Sequence, residues 1–400
     1  MTSILWNNKR LDIETATCLQ YVFIAFIPLV NYIIGVWFGS GGLYLSLIIV
    51  FSLTLYKILK RDPLKVTPLW IVYILILIVY GILTRHSMLN SIQFILYILL
   101  PAFVAISKIN MHRFIKMSTY SSLILFLVFP TFIRDLNNNG GRLISINGIS
   151  YAVLPVLVAG LFHFVLYRKA DSNIILRLCY LLDIILGALL IVYSNRGVVL
   201  SILIAIYLVF TFKHKERLTF KHGIAISLSF LVIAVLVLNF QSILTGLVSI
   251  TSKYGIEIAF INKFANLNRA QDLTNGRSEI GIYVLEHIGE SFLWGHGLST
   301  ITYNSGGTIV YPHNMIYQLL YDGGLILSIP IFSLLFYMIV YLFKGKNENL
   351  RILILFFSII CIPKMMFSSD IWFNPAFWLF VFAMFNHSGE IHNSIQYSNK

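Results

Sequence analysis

Four residues in "YPHNMIYQLLYDGG" (311–324) are of types that hold or move protons: His313, Asn314, Gln318 and Asp322. Asn314, Gln318 and Asp322 stand four apart. In a helix beginning at Pro312 they form one polar line, beside a second line of His313, Tyr317 and Tyr321. An imidazole titrates near neutral pH and can take up a proton there. The residues that follow, 324–343, are almost wholly apolar and long enough to cross a bilayer. A reading without chemistry also exists, because His and Tyr at the head of such a segment can be an interfacial anchor. The polar line is more than an anchor needs.

Three arginines form the second group. Arg196 lies in "YSNRGVV" (193–199), a tight turn between two apolar runs, where it is either a solvated charge or a fixed cation at the depth of lipid phosphates. Arg277 follows Asn275-Gly276 and opens "GRSEIGIYVLEHIGE" (276–290). That segment puts Ile280, Tyr283, Val284 and Ile288 on one stripe, with Glu279, Glu286 and Glu290 elsewhere, so a helix is predicted. A helix N-terminus attracts anions, although a routine cap with a solvated Arg reads the same way. Arg142 stands in a Gly-rich turn, "NNGGRLISING" (138–148). In "WGHGLS" (294–299) the glycines predict a tight bend, with His296 exposed. Asp183 is a lone acid inside an apolar run, to be hydrogen-bonded within a bundle if it has no functional role.

Composition says what must position these residues. Hydrophobic residues make up 58% of the 400 and charged ones 11%, with a mean hydropathy of +0.83. A soluble domain carries about a quarter charged residues, so the composition is that of a polytopic membrane protein. Twelve apolar runs read as spans at 18–38, 41–59, 69–84, 89–107, 114–133, 149–167, 174–193, 197–212, 223–241, 323–343, 350–367 and 371–386. Lipid offers no hydrogen bonds to the backbone, so the spans are helices and the fold class is all-α, a single polytopic domain over 1–400. The three cysteines, Cys18, Cys179 and Cys361, fall in apolar runs and imply neither disulfides nor a metal site. No metal or other cofactor is expected.

The net charge of +13 is explained by placement rather than by nucleic acid, and no nucleic-acid partner is expected. With the N-terminus inside, the inner segments hold 20 of the 29 Lys+Arg, in clusters such as "KILKRDPLK" (57–65), "KHKERLTFK" (213–221) and "KGKNENLR" (344–351). The outer segments hold 9. Positive charge stays on the cytoplasmic side, so both termini are expected there. Of the outer positives six are Arg and three Lys; of the inner ones seven are Arg and thirteen Lys. Arg makes two-pronged contacts with phosphate oxygens, so the bias points to an anionic, phosphate-bearing ligand outside. Residues 242–311 form one large outer loop without a span-length run, and a loop of that length usually has a function.

Taken in order, "SNRG" (194–197), "GRSE" (276–279), "GHGLST" (295–300) and "HNMIYQLLYDGGLIL" (313–327) resemble the O-antigen polymerase and ligase superfamily of bacterial membrane glycosyltransferases. The resemblance covers the C-terminal half in motifs and the whole chain in topology. It departs from the family pattern in "GGRLISINGISYA" (140–152), which lacks the fuller motif after the Arg, and in the adjacent Gly323-Gly324.

The resemblance implies a GT-C-like architecture in the bacterial inner membrane. It also implies an inverting, metal-independent transfer of a glycan from undecaprenyl diphosphate to an acceptor. Arg196 and Arg277 would meet the diphosphates with Arg142 as a third, and His313 would be the base, oriented by Asn314 or Glu279. Gln318 and Asp322 would complete the substrate site. The implied partners are lipid-linked glycans as donor and acceptor, the bilayer, and a chain-length regulator. Polymerisation of repeat units for O-antigen, capsule or exopolysaccharide is the reading taken. A ligase of the same superfamily and a lipid-linked oligosaccharide flippase are the alternatives, and a transporter is disfavoured by the absence of a half-repeat.

Overall fold

The computed structural model describes residues 12–38, 42–60, 66–84, 87, 91–137, 146–171, 173–193, 196–213, 246, 249–250, 253, 277–367 and 369–398. Among the described residues all regular structure is helical. The helices are α1 (Ile13–Ala25), α2 (Ile27–Phe38), α3 (Gly42–Leu59), α4 (Pro68–Leu83), α5 (Ser91–Phe94), α6 (Leu100–Val104), α7 (Met111–Thr119), α8 (Ser121–Leu127), α9 (Phe129–Asn137), α10 (Ile146–Phe162), α11 (Ile174–Tyr193), α12 (Arg196–Lys213), α13 (Arg277–Ile288), α14 (Ile301–Asn304), α15 (Met315–Lys344), α16 (Glu348–Phe367) and α17 (Pro375–Ser398). The ninth predicted span (223–241) lies outside the described residues.

Among the described residues three helices are long and apolar enough to cross a membrane, over 149–167, 315–344 and 348–366, or four if the bent pair α1–α2 is one span. The chain is an integral membrane protein of helices. Its outer faces agree: Leu55 and Ile58 on α3, Ile71, Val72 and Leu75 on α4, and Leu181 and Ile184 on α11 are exposed apolar side chains, which lipid tolerates and water does not.

Several expected spans are broken, each for a local reason. Residues 18–38, read as one helix, bend by 73° between α1 and α2, where Pro28 supplies no N–H to the preceding turn. The run 114–133 divides into α7, α8 and α9. At its first break Thr119 Oγ1 donates to Ile115 O and Ser122 Oγ to Thr119 O, so hydroxyls compete for helix carbonyls. Between α5 and α6 the chain passes through a π-turn, Ile95–Leu99, two residues ahead of Pro101.

The buried heart is formed by α10, α16 and α17, with Phe162, Phe356, Phe357, Phe377, Phe380, Trp372 and Trp378 enclosed. Phe114 of α7 packs edge-on against Phe356, with ring centroids 5.2 Å apart. The bundle has two ends. One is the start of α15 and the turn between α16 and α17. The other is where α15 gives way to α16. There Asn349 accepts from Met111 N at 2.7 Å and donates to Ile109 O at 2.7 Å, which brings the start of α7 to that end.

Candidate active site at the head of α15

Asn314 is the N-cap of α15, with its side-chain oxygen accepting from Ile316 N at 2.9 Å and Tyr317 N at 3.3 Å. The helix therefore begins at Met315 and not at Pro312. His313 stands outside it with φ +54°, a left-handed backbone that His adopts more readily than most side chains. The predicted line His313–Tyr317–Tyr321 is broken at its first member. The imidazole is half-buried and lies against Tyr311, ring centroids 4.0 Å apart.

Gln318 and Asp322 do share one face, and it turns inward onto the α16–α17 turn, "SDIWFNP" (369–375). Gln318 Nε2 donates to Asp370 Oδ1 at 2.6 Å, and Gln318 Oε1 accepts from Ile371 N at 3.1 Å. Trp372 N also donates to Asp370 Oδ1, at 2.8 Å, while Trp372 Nε1 donates to Asp322 Oδ2. Ser299 Oγ lies 3.4 Å from Asp370 Oδ2. Asp322 is fully buried, and its Oδ1 has no hydrogen bond of good geometry among the described residues. Two carboxylates thus share one network with Trp372 between them, its N donating to Asp370 and its Nε1 to Asp322.

Asp370 escaped the sequence reading. The only signal was a lone acid in a connection of a few residues between two apolar helices. Burial pushes its carboxyl up from the ordinary value to about 6, partly opposed by the hydrogen bonds from Trp372 N and Gln318. A raised carboxyl binds its proton more tightly folded than unfolded, so it lowers stability as pH rises from the unfolded value to about 6. In detergent, the thermal midpoint of Asp370→Asn should fall less between pH 4.5 and 6.5 than that of the parent, as read by tryptophan fluorescence against about the usual Asp range. Parallel profiles would mean that Asp370 is ionised throughout.

Below Asp322, Gly324 takes φ +56°, ψ −159°, which breaks α15 as the Gly-Gly pair predicts. Four of the backbone groups released there are taken by residues 292–297, and Gly323 O accepts from Tyr80 Oη at 3.4 Å. His296 N donates to Tyr321 O at 2.8 Å and Gly297 N to Asp322 O at 2.9 Å; Leu325 N donates to Phe292 O at 3.0 Å and Ile326 N to Leu293 O at 3.2 Å. This explains the glycines of "WGHGLS". A Cβ on Gly295 would lie 2.4 Å from Asp322 O, and one on Gly324 would lie 2.5 Å from Gly295 N. The same loop is tied to the end of α4, where Ser87 Oγ donates to Leu298 O at 2.6 Å and Leu298 N to Thr84 Oγ1 at 3.2 Å. His296 is not an exposed residue: Nε2 is 2.9 Å from His287 O and the ring stacks on Tyr321 at 4.4 Å. It serves the packing of the loop.

The predicted helix 276–290 is α13. Its stripe packs as expected, with Ile280, Tyr283, Val284 and Ile288 against Ile301, Ile309, Tyr317 and Tyr321. Arg277 is its first residue; one turn on, a Cβ on Gly281 would lie 3.3 Å from the Tyr317 ring, which sets this end of α13 beside the head of α15, and the Arg277 side chain is not described. Glu279 is exposed and makes no hydrogen bond or ion pair among the described residues, so the structure does not tie it to His313. Arg196 is the first residue of α12, and its side chain is likewise not described. His112 of α7 contacts Asp171 ahead of α11 at the α15–α16 end, and the 20 residues of α11 then run back toward the opposite end of the bundle. Arg142 lies outside the described residues. Asp183 is not part of the site: Ser122 Oγ donates to its Oδ1 at 2.6 Å inside the bundle.

Residues 181–332 match the family model described as O-antigen ligase, a stretch from within α11 through the break in α15. No curated protein and no solved structure matches the chain.

Proposed function

We propose that this chain belongs to the O-antigen ligase and polymerase superfamily, which the match over residues 181–332 supports, and that it is a glycosyltransferase that polymerises undecaprenyl-diphosphate-linked repeat units. The observation that carries the proposal is the head of α15. A half-buried His313 sits just outside a capped helix whose next two inward turns, Gln318 and Asp322, are wired to Asp370. Transfer needs a base for the acceptor hydroxyl, an anomeric carbon to attack, and cations for the departing diphosphate. His313 takes the proton as the hydroxyl oxygen bonds to the anomeric carbon. The bond from that carbon to the diphosphate breaks, and the negative charge leaves with the lipid carrier. Arg277, Arg196 and Arg142 meet that charge. The buried Gln318 and Asp322 fix the head of α15, and the half-buried Asp370 joined to them is the member that meets the sugar hydroxyls. No Asp-x-Asp pair for a divalent cation stands in the outer segments, so the chemistry is assigned to arginine and imidazole.

The architecture proposed around this site is twelve spans in a GT-C-like arrangement, with the site on the outer face of the inner membrane and both termini in the cytoplasm. In support, Arg113, Lys116, Arg168, Arg177, Lys344 and Arg351 gather toward the bundle end away from the site, as cytoplasmic charge does. A chain-length regulator is the expected protein partner.

The description of the matched family favours a second reading, a ligase that moves finished polymer to a final acceptor. A deletion strain separates the two. A polymerase defect leaves single repeat units on lipid or core and no long polymer. A ligase defect leaves long polymer on the lipid carrier and none on the acceptor. Substrate confined to the cytoplasmic leaflet would overturn both in favour of a flippase.

The arginines make a further test. Arg277→Ala and Arg196→Ala should each abolish polymer at unchanged protein level, and the Lys variants should recover only part of it. Lys restores the charge and not the two-pronged contact. Full activity of both Lys variants would reduce the arginines to general electrostatics.

A further inference from the structure

We infer that the chain binds one divalent transition-metal ion, Zn²⁺ by ligand type, on His112, His163 and Asp171, at the bundle end away from the carboxylate site. His112 belongs to α7, His163 opens the π-turn His163–Tyr167 that ends α10, and Asp171 lies in the connection to α11. The three elements converge on one oxygen. His112 Nε2 is 2.6 Å from Asp171 Oδ2 and His163 Nε2 is 3.6 Å from it, and the three ligand atoms all lie within 4.8 Å of one another. Zinc bonds of about 2.0–2.2 Å put neighbouring tetrahedral ligand atoms roughly 3.3 Å apart, so small side-chain adjustments close the site.

His163 supplies the second, independent observation. Its side chain is fully enclosed, yet Nε2 makes no hydrogen bond. A buried polar atom left so is costly, and native interiors rarely keep one without an occupant. Its other nitrogen, Nδ1, lies 2.7 Å from Tyr180 Oη. With Nδ1–H donating there, the Nε2 lone pair faces Asp171, and this outer hydrogen bond is the type that orients metal-binding imidazoles. Two imidazoles and one carboxylate suit zinc; magnesium and calcium favour all-oxygen sets. The fourth position opens to water on the side of His112, whose side chain is 42% exposed.

One contact works against the metal. Lys116 Nζ is 2.7 Å from Asp171 Oδ1 and competes for the carboxylate's charge. Without a metal the group is a lock of Lys116, His112 and Asp171 joining α7 to the α10–α11 connection.

The test uses the full chain purified in detergent, tag removed, stripped with chelating resin and titrated with Zn²⁺ against a chromophoric chelator. The parent should bind one equivalent, and His163→Gln should lose it. Tyr180→Phe should keep the stoichiometry and weaken binding about 10- to 100-fold. Lys116→Met should bind more tightly, because the competing ammonium is gone. Zinc should also raise the thermal midpoint of the parent and not that of His163→Gln. No binding by the parent, or equal binding by parent and His163→Gln, would overturn the site. So would unchanged affinity in both Tyr180→Phe and Lys116→Met, which are substitutions that leave the enclosed imidazole in place.

Discussion

His313→Ala is expected to insert and accumulate like the parent chain and to lose about 10²–10⁴-fold in polymer formation, the range of a general base. The structure sharpens the choice of variant. His313 has φ +54°, so a substitution there tests backbone tolerance as well as chemistry. Asn tolerates the left-handed region and has no titrating nitrogen. His313→Asn should therefore match His313→Ala in activity and the parent in stability. His313→Tyr keeps an aromatic ring beside Tyr311 and an interfacial anchor, and it too should be inactive. Measured as polymer per unit of inserted protein, full activity of the Tyr or Asn variant would make His313 an anchor. The base would then be sought at Asp370, the carboxylate of the α16–α17 turn joined to the same helix through Gln318.

Gly324→Ala is expected to be the most damaging single methyl group in the described residues. The position combines φ +56° and ψ −159° with backbone on its open side, Gly295 N and Leu293 C both 2.5 Å from a new Cβ. Left-handed strain costs about 1–3 kcal/mol by itself. The clash also forces residues 292–297 off the break, which leaves the Tyr321 and Asp322 carbonyls and the Leu325 and Ile326 N–H groups unpaired near lipid. Size-exclusion profiles with a fluorescent fusion should show a loss of the monodisperse peak and a fall in thermal midpoint of well over about 5 °C. A midpoint within a degree or two of the parent would show that the loop does not hold the break. Gly187→Ala, where a Cβ meets nothing within 4 Å, is the control expected to behave like the parent.

Sequence alone determined the class, because bilayer thickness and the need to satisfy every backbone group leave a chain of this hydropathy no other regular structure than helix. It also determined α13, whose apolar stripe repeats at helical spacing, and the break at Gly323-Gly324, because glycine is the residue that reaches that backbone conformation without penalty. Local chemistry was readable where cause and effect lie within a few residues. The start of α15 shows the limit of that rule. Pro312 and Asn314 both signal a helix start, and only the hydrogen bonds from Ile316 and Tyr317 decide for Asn314.

Tertiary structure decided everything that joins distant segments. Asp370 lies 52 residues from Gln318 and in no motif with it; the antiparallel return of α16 beside α15 brings the two together. The same return turns Gln318 and Asp322 from a polar line at a membrane surface into a buried network with Trp372. His296 reads as an exposed loop residue until the loop is seen filling the hydrogen bonds that α15 gives up. His112, His163 and Asp171, spread over three elements, share one oxygen only after α7 is drawn to the end of α10. Spacing along a chain specifies neighbours within a helical turn; which helices return to one another depends on packing, and no local pattern encodes it.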